Sequence, residues 1–186
     1  MADPTSEPVD ADLAVRARGG DRDSYRTLVE RYQEVAFRTA YLITRSAVDA
    51  EDAAQDAFVK AYLRLDRFDP RRPFRPWLLT IVANEAKNRR RAEGRRLHYE
   101  ATVARHGAAP EATPEAAAVL EEASGELLAA VNALPEPERL VVGLRYFLEL
   151  SEAETADIAG VPSGTVKSRL SRALGRLRVA MGDPDD

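Results

Sequence analysis

The chain of 186 residues has no cysteine, two histidines, two methionines and a single tryptophan. Without cysteine there is no disulfide, no thiolate metal site and no cysteine nucleophile. His98 and His106 stand in a polar segment with no Asp, Glu or His at metal-ligand spacing, so no metal site and no cofactor is expected. No apolar run approaches the ~20 residues that span a bilayer. The acidic opening MADPTSEPVDAD also lacks the apolar centre of a signal peptide. The expectation is a cytoplasmic protein with no direct membrane insertion. Sustained apolar/polar alternation is absent as well, while Leu, Ala, Arg and Glu dominate, and this predicts an all-α fold. The length suits two small helical domains.

Net charge is −4, yet its distribution matters more than its sum. Residues 67–96 carry ten Arg or Lys against three acids, a local balance of +7. Residues 1–12 hold four acids and no base, and residues 100–126 hold six Glu against one Arg. Acidic segments therefore flank and separate two basic ones.

The second basic segment lies within SEAETADIAGVPSGTVKSRLSRALGRLR, residues 151–178. Ser151 with Glu154 forms a capping box that starts a short helix, and Gly160, Val161 and Pro162 end it. Ser163 reads as the next N-cap. Beyond it Val166, Leu170, Ala173, Leu174 and Leu177 fall at spacings of three and four and define a buried stripe. The opposite face carries Lys167, Ser168, Ser171, Arg172 and Arg176, and residues 163–178 contain five bases and no acid. This is the pattern of a helix-turn-helix, whose second helix enters the DNA major groove. The same residues also fit an amphipathic helix with a solvated basic face, or a helical hairpin that contacts protein.

Upstream, the pattern predicts helices over 9–18, 24–44, 48–65 and 74–91, with the proline-rich FDPRRPFRP as a loop before the last. Residues 98–116, rich in Ala, Pro, Glu and Thr without apolar period, read as a flexible acidic linker. Helices over 117–133, 136–148, 151–159 and 163–181 follow. The expected organisation is a helical domain over 1–97, a linker over 98–116 and a helix-turn-helix domain over 117–186.

Three segments taken together carry a family resemblance: GGDRDSYRTLVERYQ, then AEDAAQDAFVKAYLRLDRFDPRRPFRPWLLTIVANEAKNRRR, then LPEPERLVVGLRYFLELSEAETADIAGVPSGTVKSRLSRALGRLR. In this order, around a variable acidic linker, they resemble a bacterial RNA polymerase sigma factor of the extracytoplasmic-function (ECF) type. The resemblance implies a protein that binds core RNA polymerase and promoter DNA, promotes strand opening without catalysis of its own, and is restrained by an anti-sigma factor. It places polymerase docking on Asp52, Gln55, Asp56 and Val59; by the residues alone, an ordinary solvated helix face is the favoured reading. It places recognition of the minus-ten element on Trp77, Asn84, Lys87 and Asn88, with Arg89, Arg90 and Arg91 on the backbone. A lone Trp in an apolar period is more often core, and Trp77 is expected to pack mainly inside its domain. Recognition of the minus-thirty-five duplex falls to Lys167, Ser168, Ser171 and Arg172 nearest the bases, with Thr165 also on the DNA-binding face and Arg169 and Arg176 nearer phosphate. A stand-alone helix-turn-helix regulator is the alternative, but it leaves the Trp-containing basic segment and the acidic helix unexplained.

The chain departs from the family pattern where Glu152, Thr155 and Ala159 replace larger or more apolar residues, and Gly143 interrupts a helix. The expectation is a less tightly packed C-terminal domain, at ~1 to 3 kcal/mol for each large-to-small core change and ~1 kcal/mol for the glycine.

Overall fold

The computed structural model describes residues 9–103 and 125–182, and every regular element among them is helical. Helix α1 (Asp10–Arg18) leads into α2 (Arg22–Thr44), which starts two residues earlier than the periodicity suggests. The reason is Asp21, whose carboxylate accepts from the amides of Asp23 and Ser24 at 3.1 Å and so caps the helix. Helix α3 (Ala47–Leu63) is capped by Ser46 and ends in a 3-10 turn, Leu65–Arg67. Helix α4 spans Phe74–Val103, well past the expected end at 91, because no proline follows Pro76 within it and Gly94 continues the helix rather than capping it. Residues 98–103 of the expected linker thus continue α4, and 104–116 lie outside the described residues.

The second lobe begins with α5 (Gly125–Ala133) and α6 (Glu136–Val142), and α6 runs into a π-helical turn at Gly143–Phe147. Helix α7 (Glu152–Ala159) opens on the reciprocal Ser151–Glu154 capping box and closes on Gly160 at φ 71°. Only glycine reaches that conformation without strain. Helix α8 covers Ser163–Ala180, with Pro162 rather than Ser163 at the N-cap; the Pro162 carbonyl accepts from Thr165 and Val166.

The first lobe packs α2, α3 and α4 around Leu28, Ala36, Ile43, Ala57, Leu78 and Val82, each fully buried. Its small alanines let the helices approach closely. Tyr25 donates its hydroxyl to the Phe58 carbonyl, and burial pushes that phenol above its ordinary range. The second lobe has two smaller apolar clusters, one around Val131, Val142, Ala173 and Leu177, the other around Val141, Ala156 and Val166. Leu140, Leu144, Leu148, Leu150, Ile158 and Ala159, however, belong to the first lobe's core. The lobes share one apolar interior.

Gly143 accounts for how closely they meet: a Cβ there would stand 2.3 Å from Leu42 Cδ1 on α2. Its helix penalty is the condition for this crossing. Thr155 is fully buried and its hydroxyl has no hydrogen-bond partner among the described residues. Such a group costs about 1–3 kcal/mol. Thr155→Val, which replaces the hydroxyl by a methyl, should therefore stabilise the chain by about 1 kcal/mol. An unchanged or lower denaturation midpoint would show that the hydroxyl is satisfied.

Candidate nucleic-acid and polymerase interfaces

Helix α8 buries Val166, Ala173 and Leu177 and leaves Lys167, Ser168, Ser171 and Arg172 exposed on the opposite side, as its period requires. Thr165 and Arg169 are half-buried at its edge. The Ser168 hydroxyl donates to the Thr165 carbonyl at 3.1 Å, and Arg172 Nε donates to the Ser168 carbonyl at 3.3 Å. Three of the basic side chains, though exposed, stand near carboxylates. Lys167 Nζ lies 3.7 Å from Glu152 on α7. Arg176 Nε lies 3.0 Å and Arg172 Nε 3.9 Å from the carboxylate of Glu138 on α6. Glu138 is buried, 6% exposed, and the Arg176 approach is a charge contact without hydrogen-bond alignment, since Oε2 has no aligned donor among the described residues. Its place in the first turn of α6 suits a negative charge. Nothing in the residue pattern marked Glu138, because its partners stand more than thirty positions away.

On α4, Trp77 is half-buried against Phe68 and Phe74, with ring centroids at 5.2 and 5.5 Å. It forms one wall of a cavity of about 540 Å³ that also contains Arg64, Arg67, Arg72 and Asn84. About two to four turns on, Asn84, Lys87, Asn88, Arg90 and Arg91 line a second cleft of about 580 Å³. Lys87 is about half-buried; burial lowers its pKa, and the nearby charges of Arg91 and Arg169 push it the same way. Arg89 points elsewhere. Its guanidinium bridges Asp52 at 2.9 Å and Asp56 at 2.7 Å on α3. The structure thus gathers Asn84, Lys87, Asn88, Arg90 and Arg91 on one side of α4 and sets Arg89 against α3.

Helix α3 presents Asp52, Gln55, Asp56 and Val59 on one outer face, with Val59 60% exposed. Val48 and Leu63, each 71% exposed, and Tyr62 extend that face at both ends. Their spacing from 48 through 52, 55 and 59 to 63 could have identified the full stripe. Exposed apolar residues alternating with carboxylates form a surface suited to another protein.

Comparison with known proteins bears on these surfaces. Residues 28–96 match sigma-70 region 2, and residues 124–177 match sigma-70 region 4. The chain is 32% identical to the ECF RNA polymerase sigma factor SigW of Bacillus subtilis, over 90% of this chain and 94% of that protein. It is 37% identical to the ECF RNA polymerase sigma-E factor of Escherichia coli K12, over 87% of this chain and 88% of that one. Among solved structures it resembles CnrH, in complex with the cytosolic domain of CnrY, at a TM-score of 0.67 and 28% identity, over 95% of this chain and 99% of that one. It also resembles the sigma factor RpoE of Bartonella quintana, in complex with the anti-sigma factor NepR, at a TM-score of 0.68 and 25% identity, over 87% and 98% of the two chains. A two-lobed helical protein with these regions in this order is a promoter-selecting transcription factor of the sigma-70 class. The chain belongs to the ECF RNA polymerase sigma factors. That family is not one of catalytic enzymes, and among the described residues no helix is long and apolar enough to cross a membrane.

Glu138→Gln keeps the side chain's shape but frees Arg172 and Arg176 from their counter-charge. Weak binding of the variant to mixed-sequence duplex DNA should then become more salt-dependent, with the log–log slope steeper by about 0.9 for each cation released. An unchanged slope would mean that Glu138 does not restrain these arginines.

Proposed function

We propose that this chain docks on core RNA polymerase through the outer face of α3, reads the minus-ten element with α4 and the minus-thirty-five duplex with α8, and so directs polymerase to its promoters and promotes their opening. The observation that carries this reading is that regions 2 and 4 fall on the helices with the exposed basic and polar faces. On α3, Asp52, Gln55, Asp56 and Val59 present carboxylates that pair with cations of a polymerase subunit and contribute specificity and association rate more than affinity. On α4, Asn84 and Asn88 supply donors and acceptors for bases leaving the stack, while Lys87, Arg90 and Arg91 hold phosphates. Trp77 shapes the neighbouring cavity from its seat on Phe68 and Phe74.

On α8, Lys167, Ser168, Ser171 and Arg172 meet base edges, while Thr165, Arg169 and Arg176 lie nearer the backbone. The domain division is 1–97 for docking and the minus-ten element, with its last helix running on to 103, a linker from there to 116, and 117–186 for the minus-thirty-five element. The chain makes no covalent step: polymerase supplies the chemistry, and the protein works in the cytoplasm. An anti-sigma factor completes the set of partners, since the similar structures of CnrH and RpoE were solved with CnrY and NepR bound.

The test is transcription by purified core polymerase on fragmented host DNA with and without the protein, mapping transcript starts. New starts that share two spaced upstream elements are expected. Lys167→Ala should weaken discrimination at one or two upstream positions by about 1–3 kcal/mol. No new starts, together with failure to co-elute with core polymerase, would overturn the reading.

A further inference from the structure

A seam of charge joins α3 to α4 within the first lobe. Asp52, Asp56 and Lys60 recur every four residues on α3, and Glu85 and Arg89 stand four apart on α4, so each set forms a stripe along its helix. Lys60 is paired with Glu85. Arg89 closes the row, donating from Nη1 to Asp52 at 2.9 Å and from Nη2 to Asp56 at 2.7 Å. The two ends of the seam differ in cover. Glu85 keeps only 12% of its side chain exposed, whereas Asp52 and Asp56 keep 49% and 52%. These two carboxylates are open to a cation from outside while they already share a guanidinium from within.

Arg89 is held for this contact. Lys87, Asn88, Arg90 and Arg91 all line the cleft on the other side of α4, and Arg89 is the one residue of that run that does not. Burial alone would lower its pKa, but the Asp56 hydrogen bond and the charges of Asp52, Asp56 and Asp49 outweigh burial and raise it. A planar fork across two carboxylates one helical turn apart loses little freedom per hydrogen bond formed. Of the two negative charges that Asp52 and Asp56 present to a partner, Arg89 cancels one.

We infer that Arg89 is a specificity-determining residue of the polymerase-docking face: it competes from within for Asp52 and Asp56, lowers the affinity for core polymerase, and favours a partner whose cations reach both carboxylates at once. A partner with one cation displaces one arm of the fork and leaves the other in place. A partner with two, spaced by a helical turn, replaces both contacts and recovers what it displaces. Weakening every mode of binding in this way costs the matched partner least, which is how an internal competitor gives discrimination. The inference rests on the assignment of the outer face of α3 to polymerase.

Because the chain has no cysteine, a single fluorophore at Glu30→Cys, an exposed position on α2, reports core binding by anisotropy in a titration with purified core polymerase. Arg89→Gln, which keeps a polar side chain and loses the charge, should tighten core binding about two- to fivefold, the worth of a partly exposed ion pair. Arg89→Lys, which keeps the charge without the fork, should fall between Gln and the parent. Arg26→Gln, which removes a cation paired with Asp23 on α2, should leave the affinity unchanged. In a chain carrying both Asp52→Asn and Asp56→Asn, Arg89→Gln should have no effect, a cycle that separates this contact from bulk charge. Unchanged or weaker core binding by a folded Arg89→Gln chain overturns the inference, as does an equal gain in the Asn background or with Arg26→Gln. If Arg89→Gln fails to fold, Arg89→Lys in the two backgrounds carries the same comparison. Core binding left intact by Asp52→Asn with Asp56→Asn overturns instead the docking role of α3, on which the inference rests.

Discussion

Everything in the mutual arrangement of the two lobes depends on the crossing of α2 and α6 at Leu42 and Gly143, where there is no room for a methyl group. Beside it Arg139, 4% exposed, donates from Nε to the Leu42 carbonyl and from Nη1 to the Leu134 carbonyl, both at 2.9 Å. Burial, with the charges of Arg45 and Arg90, pulls this guanidinium down to about 10. A buried cation with carbonyl partners is held by geometry more than by charge pairing, and moving either oxygen would leave it unsatisfied. Leu42 lies in the last turn of α2, so Arg139 serves that C-terminus as Lys87 serves the end of α7. Two helix ends, each met by a cation from the other lobe, fix the relative placement of the two lobes.

The same economy explains how a chain with net charge −4 works on a polyanion. Its acids are placed against particular bases: Asp52 and Asp56 on Arg89, Glu136 on Arg90, Glu138 on Arg172 and Arg176, Glu152 on Lys167. Most of these pairs are partly exposed and individually worth little to stability. Under the proposed function their effect is on availability, because each carboxylate must be exchanged for a phosphate before the cation can serve DNA. Asp52 and Asp56 link two surfaces, since the carboxylates proposed to meet polymerase also hold an arginine of α4.

Much of this was legible in residue order. The Ser151–Glu154 box and Gly160 bound α7, the three-and-four spacing set the buried stripe of α8, and the all-helical fold followed from the missing alternation. Local patterns erred where the deciding group was not the obvious one: Asp21 caps α2 and starts it before residue 24, and Pro162, not Ser163, precedes α8. What could not be read was contact between distant positions. Lys87 meets Ile158 and Ala159 more than seventy residues on, and Gly143 looks like a flaw until Leu42 is seen against it. Such fits depend on three-dimensional crossing angles that no local period encodes.

The central claim is that α4 and α8 act on two separate promoter elements within one polymerase complex. A photo-crosslinking amino acid at position 88 or at position 168, in reconstituted holoenzyme on promoter DNA, tests it most directly. The account predicts crosslinks from position 88 to the non-template strand of the downstream element and from position 168 to the upstream duplex, on the same template. Crosslinks from both positions to a single element, or none from position 88, would contradict it.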